Sequence, residues 1–359
     1  IYERRIQWPG QKLLHTSREV MEVVNNLLSA IQEHFLSSSF QVLKTAIGVD
    51  SAFEGWSPHG NDTVYHVLVP LQPPCGYAFL LDVGKPWEVP PKDPRICVRL
   101  ECTCKMDQLQ ENTLCCCCHP NEELRQEQGP SLLDTLCTDS LLDAHKTAAW
   151  FQTLVTSAWR TLPQSCRYDM KLLPSGRACR LQLTKANSSP LTIEIMFGVQ
   201  QGDSDIFLSS ENIKRTPIPN TRWLVTYAVA EAKFFTHTSM WLPRGSCHLK
   251  CLYMCARILL GTGLSTYAVK TVTMRLLTTI PQSSWHRAEF LPRLEDAMRH
   301  LRCCVEEKHL DHFFTGNYSV PAEVALPKEF EFSQPFNILH KLVRDPERHK
   351  KALLAVEHL

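Results

Sequence analysis

The sequence has almost no excess of charge of either sign. Its 38 lysines and arginines face 37 acidic residues, which leaves a formal net charge of +1 over 359 residues. A protein with so little net charge sets up no overall field that attracts nucleic acid or anionic lipid. Nucleic acid is therefore not an expected partner, and any basic binding surface has to be local.

Long apolar runs are also missing. The best candidate, residues 247–260, is short and contains His248, Lys250 and Arg257. A helix that crosses a bilayer needs about 20 mainly apolar residues, so none is predicted. The chain begins at Ile1, with neither an initiator methionine nor a signal-peptide pattern. We therefore expect a piece of a longer protein, in which any membrane anchor precedes Ile1.

The signatures of several enzyme classes are absent as well. The chain has no Walker motif, no Rossmann glycine pattern and no Ser-His-Asp arrangement. Cysteine, by contrast, is abundant, with 16 residues that include the adjacent pairs and runs at 115–118 and 303–304. Adjacent cysteines do not form the spaced framework of a disulfide scaffold, so mostly reduced thiols are predicted.

Periodicity divides the chain into a mixed part and a helical part. A long amphipathic helix is predicted at about 11–35, followed by alternating strands that include a hairpin around residues 187–190. From Trp223 to about residue 310 nearly every segment has helical periodicity. The predicted fold class is α+β, with a mixed-sheet N-terminal lobe built on the long spine helix and a C-terminal helical lobe.

The predicted domain boundaries follow from this division. The first lobe spans residues 1–222 and includes a cysteine-rich excursion at about 102–129. The helical lobe spans residues 223–320, and residues 321–359 form an extended tail with a terminal helix, because prolines punctuate the start of that segment.

The most informative stretch is a loop at residues 48–56 that leads into a strand at about 64–69. The loop carries a small hydroxyl residue, Ser51, and Asp62 stands at the expected beginning of the strand. This order is typical of nucleotidyltransferases, which hold a triphosphate over acids that bind metal ions.

These residues resemble the Mab-21 family, and within it the inositol trisphosphate receptor-interacting protein group. The most specific parts of this resemblance are the Leu-Ser-x-Tyr-x-x-Lys-Thr block at 264–271 and the late segment 310–314. The stretches that carry the resemblance are 47–56, 67–74, 223–231, 247–277 and 310–314. The resemblance implies a bilobed nucleotidyltransferase-like fold, with cyclic GMP-AMP synthase as a catalytic relative.

The catalytic carboxylates expected from this resemblance are incomplete. Two-metal phosphoryl transfer needs acids at i and i+2 on one strand and a third acid from a neighbouring strand. If Asp62 fills the second position, the first falls on Gly60, and Glu194 is the third. The competing interpretation is that Asp62 is a surface carboxylate at a strand start and Glu194 lies on a solvated strand face.

The phosphate loop departs from the active pattern too. Active relatives have Gly-Ser where this chain has Asp50 and Ser51. A carboxylate there opposes a triphosphate by on the order of several kcal/mol for each close pair of like charges. The sequence therefore predicts a protein that is not an enzyme, with binding of a nucleotide or inositol phosphate without turnover left open.

Other residues support weaker hypotheses. Cys102, Cys104, Cys115 and His119 have the ligand types of a zinc site, with an exposed reduced cluster or S-acylation of residues 115–118 as alternatives. No other cofactor is expected. Lys270 either faces the cleft between the lobes or is a solvated helix lysine. Glu54 is a candidate cap of the turn after it, and His312 is expected to be a packed helix-end histidine.

For function, the resemblance implies a membrane-anchored partner of the inositol trisphosphate receptor in calcium signalling. The expected location is a membrane, with the plasma membrane favoured and its side left open. One rival is a cell-surface ligand for a receptor on another cell, which glycosylation at Asn61, Asn187 or Asn317 would favour. The other rival is a nucleotidyltransferase that makes a nucleotide second messenger.

Overall fold

The fold is known from a computed structural model that describes residues 9–34, 42–74, 76–82, 93–101, 131–186, 188–211 and 218–357. Long helices and mixed sheets occur together in these ranges, so the predicted α+β class is confirmed. The predicted cysteine-rich excursion at about 102–129 lies outside the described residues.

A long helix opens the described chain, close to where the sequence predicts it. Helix α1 covers Gly10–His34. Its apolar residues recur every three or four positions, so that Val20, Val24, Leu27 and Ile31 are all buried on one face. This face packs into the first hydrophobic core of the protein.

The elements that follow alternate between strands and short helices. They are β1 (Ile47–Val49), α2 (Asp50–Phe53), β2 (Val64–Pro70), β3 (Tyr77–Asp82), β4 (Arg95–Leu100), α3 (Leu132–Leu136), β5 (Cys137–Thr138), β6 (Leu141–Leu142), α4 (Ala144–Trp159), β7 (Asp169–Leu173), β8 (Cys179–Thr184), β9 (Leu191–Gln200), β10 (Phe207–Ser209) and β11 (Leu224–Thr226). Helix α4 begins at Ala144, because Asp143 caps it by accepting from the backbone N–H of His145 and Lys146.

Seven of these strands form a mixed sheet around β9. Strand β2 runs parallel to β9 on one side, with Val64 opposite Thr192 and His66 opposite Glu194. On the other side β9 pairs with β8 and β10, both antiparallel, as the predicted hairpin requires. Strands β1, β7 and β11 extend this sheet, and β3, β4, β6 and β5 form a second, four-stranded sheet.

The remaining elements are helical. They are α5 (Ala228–Trp241), α6 (His248–Ile258), α7 (Thr266–Thr279), α8 (Phe290–Glu306), α9 (Lys328–Glu331), α10 (His340–Val343) and α11 (Pro346–Glu357). They enclose a second hydrophobic core, which also contains Trp56 and Ile206 from the first part of the chain. The two parts therefore meet through side chains of the first that are buried in the second.

Two segments differ from the sequence-based expectation. Helical structure was expected from Trp223, but Trp223 lies in the first core and Leu224–Thr226 forms an edge strand before α5 begins. The expected terminal helix is interrupted between α10 and α11, because Pro346 lacks an N–H and starts a new helix. Residues 321–357 are integrated into the second core through Val324, Leu339 and Val356.

The cysteines of the described ranges are all free thiols, including the buried Cys251 and Cys255 of α6. This agrees with the prediction of mostly reduced thiols, and the remaining cysteines lie outside those ranges. Among the described helices, none has both the length and the apolar composition needed to cross a bilayer.

Candidate functional site

The loop singled out in the sequence spans the end of β1, the one-turn helix α2 and the residues that follow it. We call residues 48–56 the turn. Its glycine at 48 is required by close packing, since a Cβ atom there would lie 2.3 Å from the ring of Phe53. Ser17 of α1 supports the turn by donating to the carbonyl of Ala52 at 3.2 Å. The backbone N–H of Trp56 donates to the carbonyl of Ser51 at 2.9 Å, which closes the turn.

Asp50 has a left-handed backbone in this turn, with φ of 68°. This conformation favours glycine and costs a non-glycine residue about 1–3 kcal/mol. The Asp50 carboxylate lies 3.2 Å from Nδ1 of His66 on β2. Although burial opposes it, the hydrogen bond and charge of His66 lower the pKa of Asp50, and those of Asp50 raise the pKa of His66 in the same way. Asp50 in the turn and His66 on β2 therefore form an ion pair.

Glu194 lies beside this ion pair. Since His66 and Glu194 are register partners on parallel strands, their side chains emerge on the same face of the sheet. Glu194 also approaches Arg180 of β8 at 3.7 Å. Loss of hydration, together with the negative charges of Asp50 and Glu194, raises the pKa of Glu211 to about 7. Three carboxylates, of Asp50, Glu194 and Glu211, therefore interact with His66, and Arg180 approaches Glu194.

The structure does not place Asp62 on this face. The strand covers Val64–Pro70, close to the predicted 64–69, but Asp62, which was expected at its beginning, lies in a 3-10 turn with Gly60. Gly60 has φ of 59° and open space around it, which explains why the chain turns here instead of extending the strand. Asp62 is exposed and lies outside β2, four residues before His66 in the sequence.

A second group of charges lies just beyond the turn, fully inside the protein. Lys270 of α7 donates to Glu54 at 2.6 Å and also to Glu231 of α5. Their side chains are at most 7% exposed. The indole N–H of Trp56 donates to the other oxygen of Glu54 at 2.7 Å. We call Glu54, Glu231 and Lys270 the buried charge cluster.

The buried charge cluster has one more carboxylate than cations. Burial opposes the charge on Lys270, but the charges of Glu231 and Glu54 outweigh it and raise its pKa. Burial raises the pKa of Glu54, and burial together with the charge of Glu54 raises that of Glu231 to about 7. Near neutral pH, Glu231 therefore exchanges a proton while Lys270 stays charged.

This cluster connects the two parts of the protein. Glu54 comes from the turn of the first sheet, whereas Glu231 and Lys270 come from two helices around the second core. The Lys270 ammonium also lies 5.6 Å from the ring of Phe235. Neither expectation for Lys270, a cleft-facing or a solvated lysine, is correct. Glu54 likewise bonds across the interface instead of capping the turn.

The other candidate residues have different outcomes. His312 is packed as expected, 4.5 Å from the ring of Phe336, and burial followed by the charge of Arg275 lowers its pKa to about 3. Cys102, Cys104, Cys115 and His119 all lie outside the described residues. Within the described ranges, no three His, Cys, Asp or Glu side chains converge as a metal site requires.

Three residues that complete the two groups of charges were not identified from the sequence: His66, Arg180 and Glu231. His66 lies in an apolar strand and Arg180 in an alternating one, so neither has a local signal that indicates its partner. Glu231 does have one, because it is an acid among apolar residues of a helix and is buried. A buried acid on a helix requires a cation, and Lys270 on a similarly apolar helix is the matching residue.

No known protein-family model matches the chain. Individual relatives do. The chain is 29% identical over 369 residues to inositol 1,4,5-trisphosphate receptor-interacting protein-like 1 of Rattus norvegicus, covering 98% of this chain and 66% of that protein. It is 29% identical over 377 residues to the inositol 1,4,5-trisphosphate receptor-interacting protein of Homo sapiens, covering 98% and 68%.

These similarities confirm the predicted resemblance to the receptor-interacting group, and a like-1 member is among the relatives. A more distant relative, the receptor-interacting protein of Danio rerio, is 27% identical over 82% of this chain. The chain spans about two thirds of the length of the curated relatives it matches, 66% for the rat protein.

Proposed function

Because the chain resembles the inositol 1,4,5-trisphosphate receptor-interacting proteins over 98% of its length, we propose that it is a non-catalytic protein-interaction module. Its two largest cores, one around a mixed sheet and one among helices, support a bilobed nucleotidyltransferase-like fold of the Mab-21 type. The module belongs to a membrane-anchored protein, and its partner is an inositol trisphosphate receptor whose calcium release it modulates.

The observation that carries the non-catalytic proposal is the position of His66. A metal-binding strand would carry an acid beside Glu194, and this chain has a histidine that is paired with Asp50. Asp50 favours positive charge on this imidazole, which opposes a divalent cation, and the pairing engages the carboxylate of Asp50 itself. The exposed Asp62 sits on a separate turn. These residues therefore favour charges that pair with one another within the protein over a centre that binds two metal ions.

Turnover assays test this part of the proposal. The chain is incubated with nucleoside triphosphates and Mg²⁺ or Mn²⁺, alongside Asp62→Ala and Glu194→Ala variants. We expect no product above background in any of the three. Product formation by the unmodified chain that either substitution abolishes would establish the rival nucleotidyltransferase and overturn the proposal.

The proposed partner rests on the names of the relatives and is tested directly. The purified chain is added to an inositol trisphosphate receptor reconstituted in vesicles, and both binding and calcium release are measured. We expect saturable binding and a change in ligand-stimulated release. A chain that is folded by circular dichroism and yet neither binds nor alters release contradicts this assignment.

Location is tested by topology mapping of the full-length protein. We propose a single membrane anchor preceding Ile1, with the plasma membrane as the favoured membrane. One described sequon is poorly suited to glycosylation, because Nδ2 of Asn317 donates to the carbonyl of Phe313 at 2.9 Å. Attachment of a glycan would replace one of the two hydrogens of this nitrogen and crowd that contact. Glycan on Asn61 in cells would instead support the cell-surface ligand.

A further inference from the structure

One region of this nearly neutral chain is strongly one-sided in charge. No aspartate or glutamate occurs between Glu231 and Glu289, although the chain has 37 acidic residues in total. The same region contains seven lysines and arginines: Lys233, Arg244, Lys250, Arg257, Lys270, Arg275 and Arg287. Lys270 and Lys233 pair with carboxylates, one inside the protein and one at Asp205. The region supplies no acid to the other five cations, so its surface carries a local positive potential.

The fold gathers part of this region around the start of α6. Ser239 in the last turn of α5 lies 3.2 Å from Nε2 of His248, the first residue of α6. The N–H of Cys247 donates to the carbonyl of Trp285 at 2.9 Å, which holds the segment before α8 against the same helix end. Lys250 lies 4.7 Å from the ring of Phe290. These contacts bring three segments together at one corner of the protein: the end of α5, the turn after it and the start of α8.

Large apolar side chains are exposed at this corner. Met240 is 75% exposed, Trp241 is 62% exposed and Leu291 is 60% exposed. Arg244 is also exposed, and the neighbouring Gly245 has no atom within 4 Å of the position its Cβ would occupy, so the turn protrudes. We call Met240, Trp241, Arg244, Lys250, His286 and Leu291 the basic corner.

Acids border the basic corner without covering it. Glu323 bonds His237 at 3.3 Å, and the His237 ring lies 6.0 Å from that of Trp241. Glu289 is exposed at the start of α8. The corner therefore combines a protruding tryptophan, further apolar side chains and cations, with acids confined to its edge.

We propose that the basic corner docks onto an anionic phospholipid bilayer. Tryptophan prefers the interface between headgroups and acyl chains, and arginine and lysine bind anionic headgroups while their stems lie along apolar surface. A protruding turn fits a bilayer because it can enter the headgroup layer, whereas an acidic protein segment is better matched by a groove. Two permanent cations and three apolar side chains give weak binding that vesicle flotation can still detect, and this binding would add to the membrane anchor proposed above.

Vesicle flotation of the whole chain tests this proposal. One set of vesicles is phosphatidylcholine alone, and the other contains phosphatidylserine at about one third of the lipid, which supplies an anionic surface. We expect binding only to the anionic vesicles and loss of binding at high salt, because screening shortens the range of the attraction. Arg244→Glu is expected to weaken binding at least about tenfold, and Trp241→Ser severalfold.

Matched variants away from the corner provide the controls. Lys351→Glu makes the same change of charge on the exposed face of α11, and Phe332→Ser removes an aromatic side chain that is 81% exposed. Both are expected to bind like the unmodified chain, which separates a local surface from general attraction. Equal losses in the control and corner variants overturn the proposal.

A second comparison separates a bilayer from a protein partner. The same variants are tested against an immobilised poly-glutamate peptide. Absence of vesicle binding overturns the proposal, and peptide binding that Arg244→Glu abolishes would then assign the corner to an acidic protein segment.

Discussion

At the scale of single residues, Lys270 decides how the two parts of this protein fit together. It is the one cation of a cluster that contains two buried carboxylates, Glu54 and Glu231. A buried pair adds little net stability over apolar packing, but removal of one partner leaves the others uncompensated. We therefore expect the buried charge cluster to favour one arrangement of the turn and the two helices over others.

Lys270→Met is the direct test of this role. We expect a loss of stability on the order of 3–5 kcal/mol, since Glu54 and Glu231 would remain buried without a cation. Urea unfolding measures the change. Arg299→Met is the control, because Arg299 pairs with Glu295 on the surface at 2.9 Å, where such pairs contribute about 1 kcal/mol or less. Equal effects of the two substitutions would contradict a buried role for Lys270.

The proton on Glu231 predicts a pH dependence with a definite sign. Its pKa rises from the usual 4.5 to about 7 in the folded protein. Between these values the folded state holds a proton that the unfolded chain has released, so stability falls as pH rises through this window. Glu231→Gln is expected to make the urea midpoint less dependent on pH between about 4.5 and 7. The exposed Glu295→Gln should leave the slope unchanged, and an unchanged slope in Glu231→Gln would refute the assignment.

Asp50 predicts a change in the titration of His66. Asp50→Gly relieves the left-handed backbone and removes the carboxylate that raises the histidine pKa. Because burial alone lowers the pKa of His66, we expect it to fall in the variant, as followed by NMR titration of the imidazole. Asp62→Gly on the neighbouring turn is the control and should not move it. A pKa that stays raised in Asp50→Gly would show that the pair does not form.

At the scale of elements, an aspartate in the turn between β9 and β10 bonds the segment before α9. Asp205 is buried, lies 2.6 Å from Lys233 of α5 and accepts from the N–H of Ala325 at 2.9 Å. Its own N–H donates to the carbonyl of Ala325 at 2.7 Å. These bonds join a strand turn, a helix and the C-terminal segment.

Asp205→Ala is expected to release that segment locally. The lost side-chain bonds destabilise it by about 1–3 kcal/mol, so the N–H of Ala325 should exchange with solvent faster. Hydrogen exchange measured by NMR or mass spectrometry follows this residue. Asp203→Ala removes an exposed carboxylate from the same turn and should leave the exchange of Ala325 unaltered. If both variants behave alike, the segment is held by other contacts.

At the scale of the whole molecule, Trp56 makes the two cores depend on each other. It is 2% exposed, comes from the turn of the first sheet and belongs to the second core. Arg257 adds a contact by donating to the carbonyl of Pro58 at 2.9 Å. The unmodified chain is therefore expected to unfold as one cooperative unit.

Trp56→Ala is expected to separate the unfolding of the two cores. The substitution removes a large buried side chain and the donor to Glu54, at a cost of about 3–5 kcal/mol. Far-ultraviolet circular dichroism and tryptophan fluorescence should coincide in the unmodified chain and diverge in the variant. Trp241→Ala, at an exposed tryptophan, should keep them coincident. Coincident curves in Trp56→Ala would mean that other contacts couple the cores.

Much of the fold was predictable because it depends on local periodicity. Helix α1, the β8–β9 hairpin and the start of α6 all follow the apolar pattern of the chain. The position of Asp62 outside β2 was not, because Gly60 adopts a left-handed turn that alternation of side chains does not reveal. Trp223 was also misleading, since an apolar residue before a helix looks the same whether it joins the helix or a sheet edge.

By itself, the sequence determined the α+β composition, the long first helix and the resemblance that the relatives confirm, since these depend on patterns within short segments. Only the tertiary structure decided which charges meet. Lys270 and Glu54 are far apart in the chain, as are Glu194 and His66, and their pairing depends on helix packing and strand register. Charges interact over a few ångströms of space whatever their separation in sequence, so a linear pattern names the candidates and the fold selects their partners.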